Sequence, residues 1–196
     1  VVTTNKDADS YTGPVQFNWG YSLNSVDLQE SSTITSSFSS GKGIGHDFRV
    51  NYSLIAFNGS INANVSKKMK YDDNYFGPTK ETINFLDEAM IKAIPANRTR
   101  SKIGQTPRLY LRVETKDNLT FFNDLREFVC YESDKRNDKI RHIGDISLDI
   151  SKLLDYLKEN KNDIEKIHFW KDVNLNLKEG QIKELQDNFT INKLKF

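Results

Sequence analysis

The sequence predicts an α+β fold of ferredoxin-like order, an antiparallel sheet crossed by one helix, without the strand and helix that open that fold. Three observations predict it. Residues Arg108 to Glu114 alternate strictly, with Leu109, Leu111 and Val113 on one side and Arg108, Tyr110 and Arg112 on the other. Two further strand-like stretches, Val15 to Tyr21 and Arg49 to Asn58, flank a long Ser- and Gly-rich excursion. Between them and the alternating strand, Ile83, Leu86, Met90 and Ile94 recur at helical spacing. The order strand, excursion, strand, helix, basic loop, strand matches the last part of a β-α-β-β-α-β unit with an insertion between its middle strands.

Taken in order, residues 1–12 are polar and read as the edge of a missing N-terminal part. Gly13-Pro14 signals entry into a strand in which Val15, Phe17, Trp19 and Tyr21 share one aromatic face. That face suits either a core or a base-stacking platform. Within an insertion over residues 30–48, Ser31 to Gly45 are nearly all small or hydroxylic, too polar to pack and too long for a tight turn, so they read as an exposed excursion, poorly ordered over Ser36 to Gly45. Gly41-Lys42-Gly43 lacks the earlier Gly and the following Ser or Thr of a nucleotide-cradling loop, because Ser36 and Gly43 stand there.

Arg49 to Asn58 carries apolar residues on both faces, which predicts a central strand. Thr79 is the expected cap of a helix from about Lys80 to Ile94, stopped by Pro95. The sheet is expected to join Val15 to Tyr21, Arg49 to Phe57 and Arg108 to Glu114, with that helix across one face. Residues 117–196 read as packed scaffold: a short helix through Phe121, Leu125, Phe128 and Val129, an amphipathic helix through Ile150, Leu153, Leu154 and Leu157 capped by Ser147, a strand from Ile164 to Trp170, and a final helix through Ile182, Leu185 and Phe189. All 196 residues are read as a single domain.

Composition narrows the function. With 28 Lys and Arg against 27 Asp and Glu, the net charge is +1, so an anionic partner must meet a local patch. Such a patch exists. Between Asn97 and Glu114, Arg98, Arg100, Lys102, Arg108 and Arg112 are uninterrupted by any acid, and Ser101, Gly104 and Pro107 keep the first part in a loop. A loop of this kind running into a strand that presents Arg, Tyr and Arg suits a phosphate backbone and stackable bases; a solvated polar face is the plainer reading. The single cysteine, Cys130, excludes an internal disulfide and points to an intracellular, cytoplasmic protein. No apolar run spans a bilayer. His46, His142 and His168 are scattered, without metal-ligand spacing or a carboxylate partner that the sequence places, so neither metal, cofactor nor catalysis is expected. His168, inside an apolar strand, reads as a satisfied core residue.

The motifs G-P-V-Q-F-N-W-G-Y-S-L-N (Gly13 to Asn24), I-T-S-S-F (Ile34 to Phe38), Y-S-L-I-A-F-N-G (Tyr52 to Gly59) and T-R-S-K-I-G-Q-T-P-R-L-Y-L-R-V-E (Thr99 to Glu114) together resemble the CRISPR-associated backbone subunit of Cascade, subtype I-B, a protein of the RAMP superfamily. The resemblance implies an RRM-like fold and a non-enzymatic subunit that polymerises in several copies along CRISPR RNA, beside other Cascade subunits, and meets target DNA only through the guide. It also implies that Thr33 to Arg49 is a thumb, with Lys42 and Arg49 as charged contacts and Phe38 or Ile44 as apolar wedge. Arg98, Arg100, Ser101, Lys102 and Gly104 would hold phosphates, with Arg108 beside them. Two alternatives stand beside this reading. One is a metal-independent ribonuclease of the same superfamily, using His46 near Lys42 and Arg49; the other is a module that only assembles with like subunits.

Overall fold

The computed structural model describes residues 12–26, 28, 34–35, 44–45, 49–66, 70–71, 74–75, 78–99 and 101–195. Its secondary structure is mixed α+β, as expected. The first half is built of short antiparallel pairs. Strand β1 (Val15–Phe17), β2 (Tyr21–Ser22), the excursion pair β3 (Ile34–Thr35) and β4 (Ile44–Gly45), β5 (Ile55–Ala56) and β6 (Gly59–Ile61) follow in chain order, and β1 pairs with β6, β2 with β5 and β3 with β4. Helix α1 (Ala63–Ser66) and a small pair, β7 (Lys70–Tyr71) with β8 (Asn74–Tyr75), complete this half.

Two of the sequence motifs thus pair with each other, and a bulge decides which way their side chains point. Phe17 lies opposite Gly59 while Tyr21 lies opposite Ala56, so four steps along one strand match three along the other. The extra residue switches faces between Phe17 and Tyr21. The expected single row of Val15, Phe17, Trp19 and Tyr21 is therefore broken: Phe17 shares its face with Ile55 and Phe57, and Tyr21 lies on the other. Each ring on the first face covers a glycine across the ladder. A Cβ on Gly59 would sit 2.6 Å from the Phe17 ring, and one on Gly20 2.5 Å from that of Phe57. Ile55 and Phe57 remain exposed, and β5 pairs only with β2 among the described residues, so the expectation of a central, doubly buried strand is corrected.

Helix α2 (Lys80–Ala96) begins as the sequence predicts, with the Thr82 amide donating to Thr79 Oγ1 at 3.2 Å. Pro95 does not stop it but lies inside its last turn, where the missing N–H removes a single bond near an end that frays in any case. The chain then crosses the basic loop into β9 (Leu109–Thr115).

Beyond β9 come a 3₁₀ turn over Leu125–Phe128, strands β10 (Cys130–Glu132) and β11 (Ser147–Asp149), helix α3 (Ser151–Glu159), strands β12 (Ile164–Lys171) and β13 (Asn176–Leu177), helix α4 (Gln181–Asn188) and strand β14 (Ile191–Lys193). Ser147 is not the cap of α3, because it lies within β11; Asp149 accepts from the Ser151 amide at 2.8 Å instead. The longest ladder joins β9 antiparallel to β12, from Ile164 opposite Thr115 to Lys171 opposite Leu109, and β14 runs parallel on the far side of β12. A second sheet orders β10, β11 and β13.

This ladder overturns the expected three-stranded sheet. Among the described residues no pairing joins β9 to the strands around Val15 or Ile55; its partner is β12. β12 matches the seven residues of β9 with eight extended ones, whereas the N-terminal strands on either side of the bulge are two or three residues long. The segment read as scaffold therefore supplies the main sheet and its core. Leu153, Leu154 and Leu157 of α3 pack on Ile164, Ile167 and Phe169, with Leu185 and Phe189, and the inward residues Leu109, Leu111 and Val113 pack against them as their alternation predicts. A second cluster, Ile140, Ile143, Ile146, Leu148 and Leu175, reaches Leu54 and so ties the two halves together. No helix among the described residues is long and apolar enough to cross a membrane.

Candidate nucleic-acid interface

The loop after α2 is a compact turn. The Asn97 amide donates to Ala93 O and Ile94 O, those of Lys102 and Ile103 to Thr99 O, and that of Gln105 to Lys102 O. Gly104 has φ +89, a conformation L-residues rarely adopt, so the turn closes there because the residue has no Cβ. These bonds turn the side chains outward. Arg98, Ser101, Lys102 and Ile103 are exposed, and among the described residues neither Arg98 nor Lys102 pairs with a carboxylate.

The strand that follows is different. Arg108 pairs with Asp172, whose amide donates back to Arg108 O at 2.9 Å. Arg112 grips Asp87 of α2 with two bonds, Nε to Oδ1 at 2.7 Å and Nη2 to Oδ2 at 2.8 Å, and the Tyr110 hydroxyl donates to the same Oδ1 at 2.7 Å. Asp87 is fully buried (0% exposed). Burial, reinforced by the Asp87 carboxylate, raises the Tyr110 pKa further above the usual phenol range. The Arg-Tyr-Arg face that the sequence offers to RNA is thus engaged within the fold, Tyr110 and Arg112 by Asp87 of α2 and Arg108 by Asp172.

His168 completes this cluster. It is buried, as its place in an apolar strand suggests, but it has acidic partners that the sequence did not place: Glu114 Oε2 lies 2.6 Å from Nε2 and Asp87 Oδ2 3.6 Å from Nδ1, while Asn192 Nδ2 lies 3.0 Å from Nδ1. Burial alone would raise the Glu114 pKa, but the His168 contact with the charges of Arg112 and Lys166 outweighs it and the carboxyl titrates below its ordinary value. His142 likewise meets Asp145 at 3.1 Å. One signal could have found Asp87. It stands four residues from both Ile83 and Ile91, an acid on the buried stripe of a helix that precedes an Arg-Tyr-Arg strand.

The excursion leaves from a clasp. Buried Asn24 accepts from the Leu54 amide at 2.8 Å and donates to Tyr52 O at 3.2 Å, and Ser53 Oγ lies 2.9 Å from Ser22 Oγ. The ends of the insertion are thereby held together, and Ile34 pairs with Gly45 and Thr35 with Ile44 in a hairpin. Ile44 is placed by its backbone and Arg49 is exposed at an isolated bridge. Phe38, Lys42, His46 and Arg100, and the stretch from Ser36 to Gly43, lie outside the described residues. The structure thus places Arg98, Ser101, Lys102 and Gly104 on one turn, with Arg108 committed to Asp172 at its exit.

The family model of the CRISPR-associated protein Cas7 matches residues 1–151, which hold the excursion, α2, the basic turn and β9. A curated relative, the CRISPR-associated protein Cas7 of Haloferax volcanii, is 28% identical over 189 residues, covering 92% of this chain and 53% of the relative. The chain spans about half the length of that relative. With three quarters of its length under one family model, this chain belongs to the Cas7 family of CRISPR-associated proteins.

Proposed function

We propose that the chain grips CRISPR RNA without sequence preference, as the repeated, non-catalytic backbone subunit of a cytoplasmic type I-B Cascade complex. Copies of the subunit line up along the RNA beside other Cascade subunits, and target DNA meets the complex only by pairing with the guide. The observation that carries this reading is the contrast in the basic stretch. Arg108 and Arg112 are neutralised by Asp172 and Asp87, while Arg98 and Lys102 stand exposed on a hydrogen-bonded turn, with Arg100 between them in sequence. A guide must accept any spacer, so its holder is served by cations that meet phosphates and leave base edges free. Ser101 and the backbone at Gly104 add phosphate contacts, and Arg108 fixes the exit of the turn. The clasped excursion is the thumb, with Lys42, His46 and Arg49 as its RNA contacts and Phe38 or Ile44 as its apolar wedge.

Each phosphate neutralised on a single strand contributes about −0.7 to the slope of log K against log salt. Replacing Arg98, Arg100 and Lys102 together by Ala is expected to flatten that slope by roughly two units and to weaken binding to every RNA sequence alike. An unchanged affinity and slope in a variant whose circular dichroism and melting match the parent would show that the turn is not the grip.

A further inference from the structure

Asp87 lies where the two stems of the basic turn meet. Helix α2 leads into the turn and β9 leads out of it, and this one carboxylate binds Tyr110 and Arg112 on the outgoing stem from its place on the incoming one. Little else buries α2 against the sheet: along its 17 residues the buried ones are Asp87 and Ile91. Apolar contact between a helix and a sheet is non-directional and tolerates sliding. A bidentate fork does not. Two parallel bonds from Arg112 to Asp87 fix both the rotation of the helix and its position along the strand, and His168, wedged between Asp87 and Glu114, braces the pair against β12. A buried charge pair adds little net stability over apolar packing, so its retention here fits a role in setting geometry.

We propose that Asp87 is a positioning residue: by clamping both stems through Arg112 and Tyr110, it holds Arg98 and Lys102 in the arrangement that meets phosphate. This rests on the proposed grip by the turn and deepens it. With the clamp intact the cations are pre-organised, so binding loses little freedom; with the clamp open they must be ordered at the moment of binding.

The test uses the full-length protein, a labelled, unstructured single-stranded RNA of mixed sequence, and hydrogen exchange of the backbone. Asp87→Asn keeps the shape but removes the charge, and Tyr110→Phe deletes one bond to the carboxylate and keeps the variant series informative if Asp87→Asn folds poorly. Leu154→Ala, a core change on the opposite face of the sheet, controls for general destabilisation. Asp87→Asn is expected to weaken RNA binding about five- to tenfold with the salt slope unchanged, because the same cations still engage. Tyr110→Phe should act in the same direction and less. Exchange should quicken at Asn97, Lys102, Ile103 and Gln105 while the amides of α3 and β12 keep their protection. Leu154→Ala should lower the melting temperature and leave affinity and turn exchange as they were. Parent-like affinity and turn exchange in both clamp variants, alongside weakened binding by the triple Ala variant, would overturn the positioning role and leave the grip standing. Parent-like binding by the triple Ala variant would instead remove the grip, and the role of Asp87 in RNA binding with it.

Discussion

Replacing Arg112 by Met removes the cation from a carboxylate that has nowhere to go. The Arg112 side chain is 13% exposed and Asp87 is fully buried, so water cannot take over the two bonds that Arg112 supplies. Asp87 would keep the Tyr110 hydroxyl at 2.7 Å and face His168 at 3.6 Å. Breaking one side of a buried pair costs about 3–5 kcal/mol, because the remaining charge is desolvated without compensation. With a urea m-value of about 2 kcal/mol/M, that moves the unfolding midpoint down by roughly 2 M. The double change Arg112→Met with Asp87→Leu removes both charges and leaves only the Tyr110 hydroxyl in need of a partner, at about 1–3 kcal/mol. The double variant should therefore be no less stable than Arg112→Met alone, a coupling measurable by urea titration followed by far-ultraviolet circular dichroism. A loss below about 1 kcal/mol in Arg112→Met would put the pair with exposed salt bridges and refute the view that it closes α2 onto the sheet.

Two further outcomes are expected. Glu114, held below its ordinary pKa of 4.5, and Asp145, held at about 2 by the Lys135 hydrogen bond and the Arg141 amide, both have folded values below their unfolded ones. Their contribution is fully present above the ordinary values and is lost as pH falls from there through the depressed folded ones; the urea midpoint should drop progressively below about pH 5, and Glu114→Gln should flatten that drop, an identical profile in the variant arguing against a role for this carboxylate. At Gly104 an added Cβ meets nothing within 4 Å, so the effect of Gly104→Ala isolates the backbone at φ +89. It should cost about 1–2 kcal/mol of local conformation and weaken RNA binding, and an unchanged dissociation constant would show that the turn adapts without loss.

Local features of the fold were legible from neighbouring residues. Thr79 caps α2 because its hydroxyl reaches an amide three residues on, and Leu109, Leu111 and Val113 face the core because alternation along an extended chain admits no other arrangement. The pattern of Ile164 to Trp170 and the stripe of Leu153, Leu154 and Leu157 gave β12 and α3 for the same reason. The basic turn was legible too, since Asn97, Gly104 and Pro107 and a run of cations without acids are properties of contiguous sequence.

What the sequence by itself could not determine was pairing across distance. Val15 to Tyr21 reads as one strand with one face, because nothing local marks the residue that the facing strand skips; the bulge exists only in the register between the two. Arg108, Tyr110 and Arg112 were offered to RNA because strand periodicity says which side chains share a face but not what covers it. Asp172 and Asp87, far along the chain in opposite directions, neutralise that face and leave the preceding turn with exposed cations. Sequence determined this protein's elements and its charge run through short-range sterics and periodicity, while tertiary structure decided which charges stay free, because neutralisation depends on distance in space.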